Sequence, residues 1–568
     1  VLERELDRFP AASPGPRARA LWLIAIVSLL AALAFWAPHN LGGGVVAMWL
    51  FAVSAIALAV VLPMPYALVS PLFVGVVGWL VDMLPFVILV GAAAVVARWV
   101  AGLILERRLP AGAKAVWLPL FLVGWTVLGI VAIGSADIKH FLLLFALQVL
   151  SSGYILAVVD SLGRIEDRFR LLITLLVYVL LLSTGVLLQW FGVPIQPLQN
   201  NEVSQRVEAA YGLDAFANEV GMVKYTLSTN GGAKQFKQKL DALKRSHPDI
   251  PSYKVIAPRL HAWNSFIIVR FEGSARPEEP QLASLHVQLP YDNIGLAPSN
   301  EVPRMRSFAR NPLTYGGACV VILPFAFFFA WTAEGRRRWL GRVAVAACLF
   351  GAAFSLSRGA WAAIAVGTLY LLIDGAARWR NKAQVVMAFV AMALVITAVF
   401  VFRYAIDPLH ARAGGEGSIN TRSSVYKQTA GALGGLHFLI GFGTEQPRTA
   451  SGVSHISGRY IPKAGTHSTY LSYLFRTGVP GMLALMLLYV VAALHARAAS
   501  RAREGDERLL GSLTAMAVVS FAAQGAILSL FVEPIYTLIV SLVIGLALVW
   551  SLDLGTSVLP WRTQKATA

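Results

Sequence analysis

The side chains best suited to chemistry on a charged substrate are two arginines and a histidine, Arg358, Arg422 and His467. A guanidinium presents a planar fork of N–H donors that matches phosphate oxygens two at a time. An imidazole titrates near neutrality, where a general base works. Arg358 sits in SLSRGAW, at a turn between two apolar runs. Arg422 lies in NTRSSVY, ahead of a short amphipathic stretch and a Gly-x-Gly turn at Gly441 and Gly443. His467 and Ser468 open an apolar run that continues through Arg476, Gly478 and Gly481. Taken singly, each has an ordinary reading: a snorkelling span-end arginine, a solvated loop charge, a simple turn, an interfacial histidine. Placed together on one face of a membrane they read differently, because charge near hydrocarbon is costly and tends to mark ligand sites or pathways. Two guanidiniums and one imidazole suit an anionic substrate and a proton transfer. Glu533, before Pro534, reads first as a helix-terminal carboxylate; the alternative is that it orients His467 or lines the site.

The elements that position these residues are membrane spans. Of 568 residues, 57% are hydrophobic and 14% charged, and mean hydropathy is +0.65. Soluble domains are nearer a quarter charged. Apolar runs predict spans at 21–37, 45–62, 66–81, 85–104, 115–133, 139–159, 171–190, 313–332, 341–357, 359–374, 384–402, 470–493, 509–530 and 534–551. The expected fold is an all-α polytopic membrane protein of about 14 transmembrane helices (12–14), with a small α/β extracytoplasmic domain inserted. Pro63, Pro65 and Pro71 interrupt the second and third runs. The first run has no small-residue cleavage site after it and reads as a retained signal anchor.

Charge placement sets the orientation. With a cytoplasmic N-terminus the inside segments hold 24 Lys and Arg, and the short outside loops hold 2, Lys139 and Arg358. That bias puts both termini in the cytoplasm and explains the net charge of +18 without nucleic acid. The divisions that follow are spans in 1–190, an extracytoplasmic α/β insert at 191–311, spans with the Arg358 turn in 312–402, an outer catalytic loop at 403–469, and spans in 470–568. In the insert, GGAKQFKQKLDALKRSH has helical spacing, while NSFIIVRFEG and ASLHVQL read as strands. The second loop is rich in Gly, Ser, Arg and His and has little apolar periodicity. Its histidines, His410, His437 and His455, show no metal-ligand spacing, and the reading includes no metal and no cofactor. Cys319 and Cys348 fall inside spans and read as small hydrophobes. Walker and dinucleotide motifs are missing from the sequence.

From Arg304 to Gly481 the chain resembles the superfamily of O-antigen ligases and O-antigen polymerases, bacterial membrane enzymes acting on lipid-linked glycans. FARNPLTYGG, which contains Arg310, looks like the family's entry to a span; SLSRGAW is similar to its Ser-Arg-Gly motif, and TRSSVY with GFGTE to its large-loop arginine and glycine turn. The most specific element is His-Ser-x9-Gly-x-x-Gly at His467, Ser468, Gly478 and Gly481, a ligase-type spacing. The resemblance implies a GT-C-like, inverting, metal-independent glycosyltransferase. Its donor is a glycan on undecaprenyl diphosphate, and its acceptor a glycolipid, a glycan or a protein hydroxyl. It implies that His467 is the general base and that Arg358 and Arg422 bind the diphosphate; Ser468, Arg476, Arg310, Gly443 and Glu533 are read beside them as substrate-binding candidates. It places the protein in the bacterial inner membrane with a periplasmic site. The insert at 191–311 is longer than the family's usual loop and is assigned to acceptor or partner recognition ahead of a passive cap. A reading from another class, a lipid-linked glycan transporter, predicts polar groups at mid-membrane in broken helices. A third makes the insert a scaffold for an envelope protein.

Overall fold

The computed structural model describes residues 42–80, 84–110, 117–133, 138–190, 222–226, 241–242, 244–245, 253–256, 266–271, 308–309, 312–355, 357–376, 435–441, 454–456, 459–461, 468–528 and 533–553. The expected spans at 21–37 and 384–402 and the ASLHVQL strand lie outside the described residues. The N-terminal half contains α1 (Gly42–Val61), α2 (Met64–Ala67), α3 (Ser70–Leu80), α4 (Leu84–Glu106), α5 (Trp117–Ile133), α6 (Ile138–Ser161) and α7 (Ile165–Trp190). Proline explains the first breaks. Pro63 N-caps α2, Pro65 stands in its first turn, and Pro71 begins α3, where a missing N–H leaves no bond unmade. The carbonyls left over at the end of α1 are met from α4, where Arg98 Nη1 donates to Ala59 O at 2.7 Å and Leu62 O at 2.5 Å.

Within the 191–311 segment three antiparallel strands pair in the order β1-β3-β2: β1 (Met222–Thr226), β2 (Tyr253–Ile256) and β3 (Phe266–Phe271). Val223 and Val255 both face Val269 across the ladder. The C-terminal half contains α8 (Pro312–Thr332), α9 (Gly335–Phe354), α10 (Arg358–Ala376), α11 (Leu436–Ile440), the hairpin β4 (Ser454–Ile456) and β5 (Arg459–Ile461), α12 (Thr469–Ala502), α13 (Gly505–Ile527) and α14 (Pro534–Asp553). Helix α14 is apolar on every side, and its residues from Ile535 to Trp550 are almost all buried, so it occupies the centre of the bundle. It joins the two halves: Ser541 Oγ lies 2.7 Å from Ser151 Oγ of α6, and the Arg168 guanidinium of α7 stands 4.5 Å from the Trp550 ring.

Among the described residues five helices have the length and composition to cross a membrane: Val87–Glu106, Ile165–Leu188, Leu313–Thr332, Thr469–Ala502 and Gly505–Ile527. Six shorter apolar helices accompany them. The protein is a helical, membrane-embedded chain. Cys319 and Cys348 are buried and unbridged.

Candidate functional site

Ser468 is extended (φ −144°, ψ 130°), and its hydroxyl accepts from Leu471 N, which makes it the N-cap of α12. The next residue fixes where this helix begins, since Thr469 N and Oγ1 donate to Leu528 O at 3.2 and 2.9 Å. Leu528 closes α13, and a second helix start meets it there. A Cβ on Gly359, in the first turn of α10, would stand 2.7 Å from Leu528 Cδ1. The residue after Arg358 and the second residue after His467 therefore touch the same leucine.

Two further helix starts and Glu533 fall near this end of the bundle. Ser357 Oγ accepts from Ala360 N at 3.2 Å and caps α10, and both Ser355 and Ser357 are buried. A Cβ on Gly316, in the second turn of α8, would run into the Ser355 hydroxyl, so α8, which follows Arg310, begins beside the α9–α10 turn. Glu533 is half-buried, and its carbonyl accepts from Thr537 N at 3.0 Å as α14 starts. Tyr536 OH donates to Gln524 Oε1 at 3.0 Å, tying that start to the last turn of α13. Four helix N-termini thus gather at one end, each with N–H groups that favour negative charge.

Arg422, His467, Arg310 and Gly443 lie outside the described residues, as does the side chain of Arg358. Ser468, Arg476 and Glu533 are described in full. The other end of the bundle is marked by the ion pair of Arg497 Nε with the buried Asp374 Oδ1, at 2.8 Å.

Helix α12 is two segments. Gly478 adopts φ 69° and ψ −174°, and Pro480 follows with no N–H to donate. The break is required by the ends. Between the contacts at Gly511 and Leu528, α13 covers about 26 Å, whereas the matching stretch of α12 would cover about 40 Å if straight. Residues 469–477 must therefore turn steeply from the axis of the rest. The turn is locked from two sides. A Cβ on Gly478 would collide with Leu439 O of α11, and one on Gly441 (φ 71°) would stand 2.5 Å from the Arg476 carbonyl carbon. The two glycine motifs, far apart in sequence, pack backbone to backbone. Trp125 Nε1 of α5 donates to Thr477 O at 2.9 Å, and His437 Nδ1 donates to Gly441 O at 3.0 Å.

Sequence reasoning missed three neighbours of this segment. Trp125 holds the break, Tyr473 lies under the Arg476 guanidinium at 4.3 Å, and Gln148 of α6 accepts from the Tyr473 hydroxyl. Gln148 alone carried a signal: a buried amide in the otherwise apolar FLLLFALQVL is a polar group that needs a partner.

No curated protein matches the chain. Residues 343–486, about a quarter of the sequence, match the family model described as O-Antigen ligase. The match runs from α9 through the break in α12 and contains Arg358, Arg422, Gly443, His467, Ser468 and Arg476; Arg310 and Glu533 lie beyond it. It supports the resemblance to the O-antigen ligase superfamily and, with it, a glycosyltransferase-like role on lipid-linked glycan.

Proposed function

Proceeding from the O-antigen ligase domain at residues 343–486, we propose that the protein transfers a glycan from undecaprenyl diphosphate to an acceptor hydroxyl at the periplasmic face of the inner membrane. His467 takes the proton of the acceptor hydroxyl, and the freed oxygen attacks the anomeric carbon of the first sugar. The bond from that carbon to the diphosphate breaks, and the lipid diphosphate leaves with the electron pair. One in-line displacement inverts the anomeric carbon. Arg358 and Arg422 hold the diphosphate, where charge grows in the transition state, so they assist rate as well as binding. Ser468, Arg310, Gly443 and Glu533 complete the surfaces for donor and acceptor.

The single observation that carries this reading is the shared contact at Leu528, which brings the starts of the Arg358 helix and the His467 helix together. The test is a transfer assay with purified protein, lipid-diphosphate glycan and several acceptors, analysed by mass spectrometry. Arg358→Ala, Arg422→Ala and His467→Ala should each abolish product; full transfer by any of them would remove that residue's role. The acceptor names the activity. Lipid A core makes it a ligase, a second lipid-linked glycan a polymerase, and a protein Ser or Thr an O-oligosaccharyltransferase; the His467–Gly481 spacing favours the ligase.

The transporter reading has one observation in its favour, the broken helix α12 with a buried arginine beside the break. Lipid-linked glycan crossing proteoliposomes without any product would establish it in place of transfer.

A further inference from the structure

Arg476 is 5% exposed, in a helix long and apolar enough to cross a membrane. Among the described residues it makes no ion pair and its Nε has no hydrogen-bond partner; its one contact of note is the face of Tyr473. A buried cation without a counter-charge among its described neighbours is strongly disfavoured unless an anion meets it during function. Its surroundings hold it ready. The Gly441 backbone packs against its carbonyl, the Gly478 break follows two residues later, and Gln148 pins the Tyr473 ring by its hydroxyl. Arg476 is about 12 Å along the helix from Ser468, and its side chain folds back one turn over Tyr473, towards the helix start that follows His467.

We propose that Arg476 is a third anion-binding group of the site, which receives a phosphate of the polyprenyl diphosphate and is held for it by Tyr473, Gln148 and the Gly441–Gly478 interlock. The proposal rests on the transferase reading for the identity of its ligand. Among the described residues no carboxylate pairs with the arginine, and the diphosphate supplies the counter-charge. Tyr473 supports the planar cation from one face and leaves its edge N–H groups free for phosphate oxygens. This chemistry differs from that of a structural arginine, which would already be paired.

The test is binding of undecaprenyl diphosphate to the full-length protein in nanodiscs, read by thermal shift and titration. Undecaprenol and phosphatidylglycerol are the comparison ligands. The wild type should bind the diphosphate and be stabilised by it, and Arg476→Met should bind at least about tenfold more weakly. Without ligand, Arg476→Met should melt at or above the wild-type temperature, because it removes a buried unpaired charge. Arg476→Lys should recover part of the affinity, and His467→Ala should bind normally while failing to transfer. Unchanged diphosphate affinity in Arg476→Met would overturn the assignment while leaving the transferase reading intact. So would a lower melting temperature of the empty variant that Arg476→Lys restores without restoring affinity. Equal Arg476-dependent stabilisation by phosphatidylglycerol would also overturn it, making the group a general lipid-phosphate contact. Failure of the wild type to bind the diphosphate would overturn both readings.

Discussion

At the scale of single residues, the site divides into groups that act on charge and groups that hold backbone. In the proposed mechanism His467 belongs to the first. Its loss should lower turnover by about 10²–10⁴, the usual contribution of a positioned general base, with donor affinity retained. Gly441 and Gly478 belong to the second, and the protein contains its own control for them. Gly435 also has a positive φ, 56°, but a Cβ there would meet open space, whereas at Gly478 it would enter the Leu439 carbonyl. Gly435→Ala should cost about 1–3 kcal/mol through backbone strain alone. Gly478→Ala should cost clearly more and should release α11 from α12. Thermal melts of the two variants measure the difference, and equal losses would mean that the close approach does not matter. The glycines were legible as members of a motif, since His-Ser-x9-Gly-x-x-Gly stands out in the sequence. Their physical reason was not, because it is a neighbour from the preceding loop.

At the scale of elements, the apolar runs gave most helices within a few residues. The run at 313–332 became α8 at Pro312–Thr332, and that at 534–551 became α14. The exceptions have causes. Helix α12 extends to Ala502, past the expected 493, because amphipathic residues including Arg497 and Arg501 continue the helix after the apolar stretch ends. The run at 66–81 is split into α2 and α3, as its prolines dictate. The bend of α12 could not be read from hydropathy, since both segments are apolar and only the contacts with α13 reveal that a straight helix is too long. Trp125 is the side chain that caps this bend from another element. Trp125→Phe keeps the ring but leaves the Thr477 carbonyl without that donor, at a cost of about 1–3 kcal/mol. Hydrogen exchange should then show faster opening of residues 476–481 than of α13; uniform exchange across both would contradict the capping role.

At the scale of the whole molecule, the bundle has two distinct ends. Helices α8, α10, α12 and α14 begin at one, while the Asp374–Arg497 pair and the Arg168–Trp550 contact stand at the other. Arginines counted in the sequence gather at that second end, where α7 begins and α12 ends. The charge bias could not show that the N-terminal half reaches the C-terminal half through Trp125, Gln148 and Ser151, because such pairings are set by packing. Arg497→Met leaves the Asp374 carboxylate buried without that cation and should lower the melting temperature. Turnover per folded molecule should stay near wild type, because the pair lies at the end remote from the site; a large fall in turnover without a change in stability would contradict this division.

The central claim is that the end of the bundle where Arg358 and His467 enter their helices performs glycan transfer. Its most direct test is mass spectrometry of the products formed from undecaprenyl-diphosphate glycan and a panel of acceptors, with wild type and His467→Ala side by side. The expected result is an acceptor-linked glycan with inverted anomeric configuration from the wild type and none from the variant, although both bind the donor. Equal product from the two proteins, or a wild type that binds the donor and yields no product with any acceptor, would contradict it.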